Sequence, residues 1–456
     1  FMDASSLIAH HATKLRWSGI DSAARVAAAT FLHDTLCVGL AGVRAPYADA
    51  VLQAARAGNG GAHGPCGILG RNEALPPADA AFVNAFQIHA QEYDCVHEPA
   101  VVHPLATMVA ALLAELDRGP SRSGEQLLTA LVAGVDVAAG LGLAATTPLR
   151  FFRPATAGIF GSVAALASLR GEDEGTTRNA IGYALAFAAG TMQAHVEGKP
   201  TLPLQIAQAA RSAIMAIDLA CAGLPGPLDS IEGPFGYLTL FEAGHDVSRL
   251  HRALTEGHRI TEVSWKPFPT GRAAHGAIVA TQMLMREHGL TADQLDRLVY
   301  RAPSLIGRLV GRPAVADMGP AYARLCFTWL GAVVLERGTV GLDDFRVERL
   351  NDPALLALAG RISVETDDNP DPAAFAPATA TAWLRDGRVL EVKVARQFGS
   401  PGWPLSREQH LDKARGCLAF AGMEQVHEDL AALFDRLPGE ADAGAAINAV
   451  LRRPRH

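Results

Sequence analysis

The sequence predicts a mainly α protein in which a large all-α helical domain carries a smaller α+β lid domain as an insertion. Three observations predict it. Apolar residues recur at helical spacing up to about residue 262, alternate with period two in places between about 263 and 397, and return to helical spacing beyond 398. The expected division is therefore 1–262 for the helical domain, with 398–456 packing back on it, and 263–397 for the lid. A chain of 456 residues is also too long for one ordinary core.

The elements follow in order. LATMVAALLAELDR (105–118) has an apolar stripe, and Ser123 to Gln126 reads as a capping box before LLTALVAGVDVAAGL. GIFGSVAALASLRG (158–171) reads as a further helix, and QIAQAARSAIMAIDLACAG (205–223) closes on glycine, as a helix C-cap does. Alanine and glycine on several faces let such helices approach closely. In the second region DRLVYRAP (296–303), RISVETDD (361–368) and TATAWLRDGRVLEVKVA (379–395) alternate, and Asp386-Gly387 marks a hairpin. AAHGAIVATQMLMREHG (273–289) and AYARLCFTWLGAVVLERG (321–338) read as helices between the strands. Residues 405–436 read as helical, the final LRRPRH is expected to fray, and no internal repeat is visible.

Composition excludes several classes. With 49 % hydrophobic and 19 % charged residues the chain is globular, and a formal charge of -7 without a basic run argues against nucleic acid as a partner. The longest apolar runs, 127–145 and 180–190, are interrupted by Asp136 or fall short of a bilayer span, so core helices rather than membrane segments are expected. FMDASSLIAHHATKLRW lacks the features of a signal peptide. Six cysteines without a CxxC pair suit reduced thiols, and the expected location is cytoplasmic.

EYDCVHEPAVVHP (92–104) gathers three carboxylates, two histidines and a cysteine, with Asn84 and His89 just upstream. Such groups cannot be buried without partners, because each unpaired buried charge costs several kcal/mol, on the order of a small domain's total stability. They face a polar pocket or form an exposed loop ending at Pro104. His97, His103 and Glu92 lack the helical spacing of a metal site, so no metal is expected. SWKPFPTGRAAHG (264–276) places Lys266, Arg272 and His275 around a proline-rigid turn before a helix. TPLRFFRPATAGIFG (147–161) adds Arg150 and Arg153, and EGKPTLPLQIAQAAR (197–211) adds Lys199, with His195 and Glu197 just before it. Each of these is equally explained as a solvated loop group. His11 and Cys37 read as core or helix-surface groups, and Asp136 as a buried hydrogen-bonding group or a dimer contact.

Taken together, AAFVNAFQIHAQEYD (80–94), the His103-Pro104 pair, ATAGIFGSVAALASLRG, PLQIAQAARSA, GLPGPLDSIEGPFGY, SWKPFPTGRAAHGA and GSPGWPLSREQHLDK resemble the MmgE/PrpD family over nearly the whole chain. That family includes 2-methylcitrate dehydratase, cis-aconitate decarboxylase and iminodisuccinate epimerase. The resemblance implies a homodimer, a pocket between the two domains, a small anionic carboxylate substrate, and chemistry next to a carboxylate without a metal or organic cofactor. It places His103, Lys266 and Asp94 on positions the family retains. Glu92 stands where the first aspartate of a DFDDT-like motif is usual, Cys95 replaces its third acid and Val96 its hydroxyl residue. Arg153 takes the place of a histidine before proline, Leu202 that of a lysine, and Trp329 that of a tyrosine.

The resemblance therefore implies catalysis by His103, Lys266, Asp94 and Glu92. Arg153, Lys199, Arg272, His275, Trp329 and Leu202 are the expected substrate contacts. A lost lysine removes a carboxylate partner, whereas arginine supplies a bidentate one. A pocket built around Trp329 is expected to favour a smaller or partly apolar acid over aconitate or 2-methylcitrate. The function implied is a cofactor-independent lyase of the dehydratase or decarboxylase type. An epimerase of a dicarboxylate, a binding protein that has lost the chemistry and a metal-dependent hydrolase stand beside it.

Overall fold

A computed structural model of the chain describes residues 2–451. The expectation for the final residues 452–456 lies outside that range. Buried apolar side chains form two clusters. The first is built on the helices Ser22–Ala41, Pro77–His89, Pro104–Arg118, Gly124–Ala144, Gly158–Arg170 and Thr201–Cys221. Local sequence starts several of them. Asp21 caps the first through the Ala24 N–H, Ser123 and Gln126 form the expected capping box, and Pro77 and Pro104 occupy first-turn positions where no N–H is needed.

Small residues let these helices cross closely. A Cβ on Gly134 would lie 2.6 Å from the Gly161 carbonyl oxygen, and one on Gly161 would lie 2.6 Å from that of Gly134. The helices 124–144 and 158–170 are thus in backbone contact, which no larger residue permits. Asp136 sits inside the longer of the two, fully buried, and its carboxylate is paired with His11 Nε2 at 2.9 Å and His258 Nδ1 at 2.8 Å, and accepts the Arg259 N–H at 2.7 Å. Because the charge is satisfied there, the helix continues through it for 21 residues. That helix and Ser22–Arg44 are long and apolar enough to cross a membrane by length and composition, yet most of their residues are buried in the first cluster.

The second cluster lies within residues 268–394 and packs helices His275–His288 and Phe327–Arg337 on a four-stranded mixed sheet. Its strand order is Ile362–Thr366, Leu295–Ala302, Ala378–Leu384, Val389–Val394; the first pair is parallel and the others antiparallel. The Asp386-Gly387 turn closes the hairpin, with Gly387 at φ 88°. Two details differ from the sequence reading. The helical stretch 321–338 breaks into Pro320–Ala323 and Phe327–Arg337, and a two-residue strand pair, Cys66–Gly67 with Ala74–Leu75, interrupts the otherwise helical first region. The helices Arg407–Phe420, His427–Arg436 and Ala443–Leu451 bury Cys417, Leu418, Leu430, Leu433 and Ile447 against the first cluster.

Candidate active site

The acidic and histidine-rich stretch is a buried loop between two helices. Pro77–His89 ends on His89, Pro104–Arg118 begins just after His103, and the chain between them brings the two imidazoles together edge to face, 4.8 Å between centroids. Glu92 and Val101 adopt left-handed φ values of 50° and 54°, a conformation that costs about 1–3 kcal/mol for such residues. Neighbouring contacts hold the loop in place. His97 Nδ1 accepts the Ala100 N–H at 3.1 Å, so its Nε2 carries the proton that faces Glu262 at 2.8 Å. Asn84 bonds the Leu69 N–H at 2.9 Å and the Gly67 carbonyl at 3.0 Å. His97 and Asn84 are therefore structural supports.

A short antiparallel bridge delivers the lysine. Val96 and Ser264 exchange backbone hydrogen bonds of 3.1 and 2.8 Å, and the Trp265 N–H donates to the Gly399 carbonyl at 2.9 Å. Gly399 has φ 93°, and a Cβ there would lie 2.7 Å from the Trp265 oxygen, so only glycine allows this approach. Lys266 is consequently fully buried, its Nζ 2.8 Å from Glu92 Oε2 and 3.4 Å from the Glu92 carbonyl. Arg324, also buried, donates to the carbonyls of Gln91 at 2.9 Å and Pro269 at 2.8 Å, which ties the loop to the proline turn.

Asp94 is the centre of the cluster. His89 Nδ1 lies 2.9 and 3.1 Å from its two oxygens, and His103 Nδ1 faces Oδ2 at 3.2 Å without the alignment of a full hydrogen bond. Burial opposes ionisation of Asp94, but His89 and His103 outweigh it and hold the carboxyl well below its usual range. Burial likewise opposes charge on His89, where Asp94 and Glu92 win and raise its pKa. For His103 burial prevails over Asp94, with Lys266 adding to it, and the pKa is lowered. Burial pushes Glu92 up, yet Lys266 with the two histidines brings it down to about 2. The site thus favours charge on His89, Asp94 and Glu92 and disfavours it on His103, whose Nε2 is not committed to Asp94. The ligand atoms of His89, Asp94 and His103 lie within 4.8 Å of one another, a spacing that also suits a cation.

A crevice of about 60 Å³ opens beside this cluster, between residues of the two cores. Its polar lining comes from His89, Glu92, His103, His195 and Arg272. From sequence His195 suits either a pocket wall or a loop; it lies in the short helix Gln193–Glu197 and on the crevice. The Arg312 guanidinium reaches its Nδ1 at 3.2 Å and its carbonyl at 2.7 Å; because guanidinium only donates, Nδ1 must accept and Nε2 must carry the proton. Burial, with Arg312 adding, pushes the His195 pKa down to about 4, so the ring stays neutral.

Not every expected contact reaches the crevice. Arg272 does, while also pairing with Glu98 at 3.3 Å, donating to the Phe398 carbonyl at 2.7 Å and facing His275 Nδ1 at 3.1 Å. Glu98 accepts from the Ser264 hydroxyl and, at 3.1 Å, from Gln397. His275 stands behind Arg272, and burial together with Arg272 keeps it neutral, well below its usual range. Arg153 is held elsewhere: its guanidinium makes a two-point ion pair with Glu242, at 2.8 and 3.2 Å, and donates to the Ala100 carbonyl at 2.8 Å. Leu202 lines the crevice and also a smaller neighbouring cavity, on which the exposed Lys199 lies. Trp329 lies in the second apolar core against Phe345, 5.6 Å between centroids, and does not line the crevice. Sequence reading missed Arg324 and the Glu242 and Glu98 partners, because nothing in linear spacing announces partners 89 or 174 residues away.

Residues 6–250 match the MmgE/PrpD N-terminal domain and residues 268–436 the MmgE/PrpD C-terminal domain. Among curated relatives, cis-aconitate decarboxylase of Homo sapiens is 28 % identical over 358 residues, covering 75 % of this chain and 72 % of that protein. Cis-aconitate decarboxylase of Mus musculus is 27 % identical over 398 residues, 83 % of this chain and 79 % of its own. The cis-aconitate decarboxylase-like protein oryM of Aspergillus oryzae is 28 % identical over 432 residues, 88 % of each chain.

Proposed function

The chain belongs to the MmgE/PrpD family, and on that premise we propose that it is a lyase that transfers a proton next to a carboxylate of a small carboxylic acid, of the decarboxylase or dehydratase type and without metal or organic cofactor. The decarboxylase names of its relatives support the lyase class. The observation that carries the reading is the neutral His103 held by Asp94 at 3.2 Å at the edge of the crevice.

In this reading the carboxylate of Asp94 keeps the His103 proton on Nδ1 and leaves the Nε2 lone pair for the substrate. For an elimination, Nε2 takes the proton from the carbon next to the carboxylate, the C–H electrons form the double bond, and the hydroxyl group leaves as water with the proton that Nε2 then returns to it. For a decarboxylation, carbon dioxide leaves without the bonding pair, and the resulting carbanion takes one proton that His103 Nε2 has picked up from solvent. Both routes build negative charge on the acid's oxygens. The Nε2–H of His195 and the Arg272 guanidinium, both lining the crevice, stabilise that charge. Lys266 acts from behind, through its pair with Glu92 and its field on His103. We place the enzyme in the cytoplasm as a homodimer.

A second reading is an epimerase, favoured by the presence of two imidazoles, His103 and His195, on one crevice. The deciding experiment incubates the protein with mono-, di- and tricarboxylates in deuterated water and follows them by proton NMR. Loss of carbon dioxide or water from one acid is expected. Inversion with deuterium incorporation alone selects the epimerase, and no change in any acid, with biological function kept in His103→Gln, leaves a binding protein.

A further inference from the structure

The walls of the crevice carry a statement about substrate class that rests on the reading just given. We infer that it takes a carboxylic acid bearing a short hydrocarbon arm where a tricarboxylate carries its third carboxylate. Away from the polar groups the lining is Phe152, Met192, Leu202, Leu309, Val310 and Leu325. Leu202 and Leu325 also line the neighbouring cavity, so they form the partition between the two, and Lys199 belongs to the far side. A third carboxylate against that partition meets methyl groups, loses its hydration and gains no donor.

Charge balance points the same way. The inward-facing cations Lys266, Arg153 and Arg272 are each matched by a carboxylate, Glu92, Glu242 and Glu98, and His89 is matched by Asp94. Arg312 is held on His195, and Arg324 donates to the Gln91 and Pro269 carbonyls and lines the neighbouring cavity rather than the crevice, so among the described residues that line the crevice no unmatched arginine or lysine is left for a third carboxylate. An alkyl arm on the remaining carbon fills the apolar wall, and each methylene that leaves water for it adds a roughly fourfold gain in affinity.

The test is calorimetric binding of tricarballylate, 2-methylsuccinate, 2-ethylsuccinate and 2-propylsuccinate to the full chain. Tricarballylate and 2-ethylsuccinate share one skeleton and differ only in whether the arm ends in a carboxylate or a methyl group. Ethylsuccinate is expected to bind at least tenfold tighter than tricarballylate, with affinity rising from methyl to ethyl. Leu202→Lys is expected to reverse that order. Leu309→Ala, at a half-exposed position where truncation is tolerated, is expected to move the best arm to propyl. Tricarballylate binding as well as or better than ethylsuccinate in the unmodified protein, or affinity indifferent to arm length, overturns the inference and leaves the carboxylate reading intact. Failure of all four acids to bind removes both.

Discussion

Lys266 Nζ and Glu92 Oε2 lie 2.8 Å apart in a place where the lysine has no solvent exposure, and they join the proline turn to the histidine loop. Removing one partner leaves the other as a buried unpaired charge. Lys266→Met and Glu92→Gln are each expected to cost about 3–5 kcal/mol in urea unfolding, and the double variant Lys266→Met, Glu92→Leu to recover most of that. Equal losses adding in the double variant would show that the two are not coupled.

The same pair sets an acid limit. The folded pKa of Glu92, about 2, lies below its ordinary 4.5, so its stabilisation is complete above pH 4.5 and is lost as pH falls toward 2. Urea midpoints measured from pH 5 to 2 are expected to fall more steeply in the unmodified protein than in Glu92→Gln.

His103→Gln is expected to lower turnover about 10²–10⁴-fold while leaving the thermal midpoint within about 4 °C. Because the His103 pKa is lowered, the acid limb of kcat/KM lies below pH 6.5, and a limb above that value removes His103 as the base.

Asp94→Asn takes away the counter-charge of His89. Its raised pKa then falls below 6.5, which histidine ring NMR reads directly. In the unmodified protein the stabilisation from His89 is complete below pH 6.5 and is lost as pH rises through its higher folded value; in Asp94→Asn that loss disappears. Turnover falls too, since the imidazole of His103 is no longer oriented.

Far from the crevice, Asp136→Ala strands three donors, from His11, His258 and Arg259. A loss of about 2–4 kcal/mol in urea unfolding is expected, with turnover per folded molecule unchanged. A fall in turnover without loss of stability would contradict a purely structural role.

Chelation tests the remaining alternative at His89, Asp94 and His103. Dialysis against a chelator is expected to leave turnover and the thermal midpoint unchanged, and metal analysis of the purified protein to find less than one equivalent. Loss of activity restored by a divalent ion would mean that the three groups hold a metal.

Much of the fold was legible because it is written in periodicity. The capping box at Ser123, Gly223 after the helix Thr201–Cys221 and the Asp386-Gly387 hairpin are local devices, and they act wherever the chain carries them. The break between Ala323 and Phe327 was not legible, since Arg324 leaves the helix to reach the Gln91 and Pro269 carbonyls, a demand made by residues distant in sequence. Within the site, the stretch from Glu92 to His103 stood out because so many titratable groups in an apolar chain need partners.

The partners themselves were settled by folding. Arg153 looked like an anion-binding residue until Glu242 was seen against it, Trp329 looked like a pocket wall until it was found inside the second core, and His195 gained importance from its place on the crevice and from Arg312. By itself the sequence determined which segments are helix or strand and where charge had to be concentrated, because those depend on neighbours a few residues away. Tertiary structure alone decided which charges remain unneutralised and which face the crevice, because electrostatic pairing acts through space and is indifferent to separation along the chain.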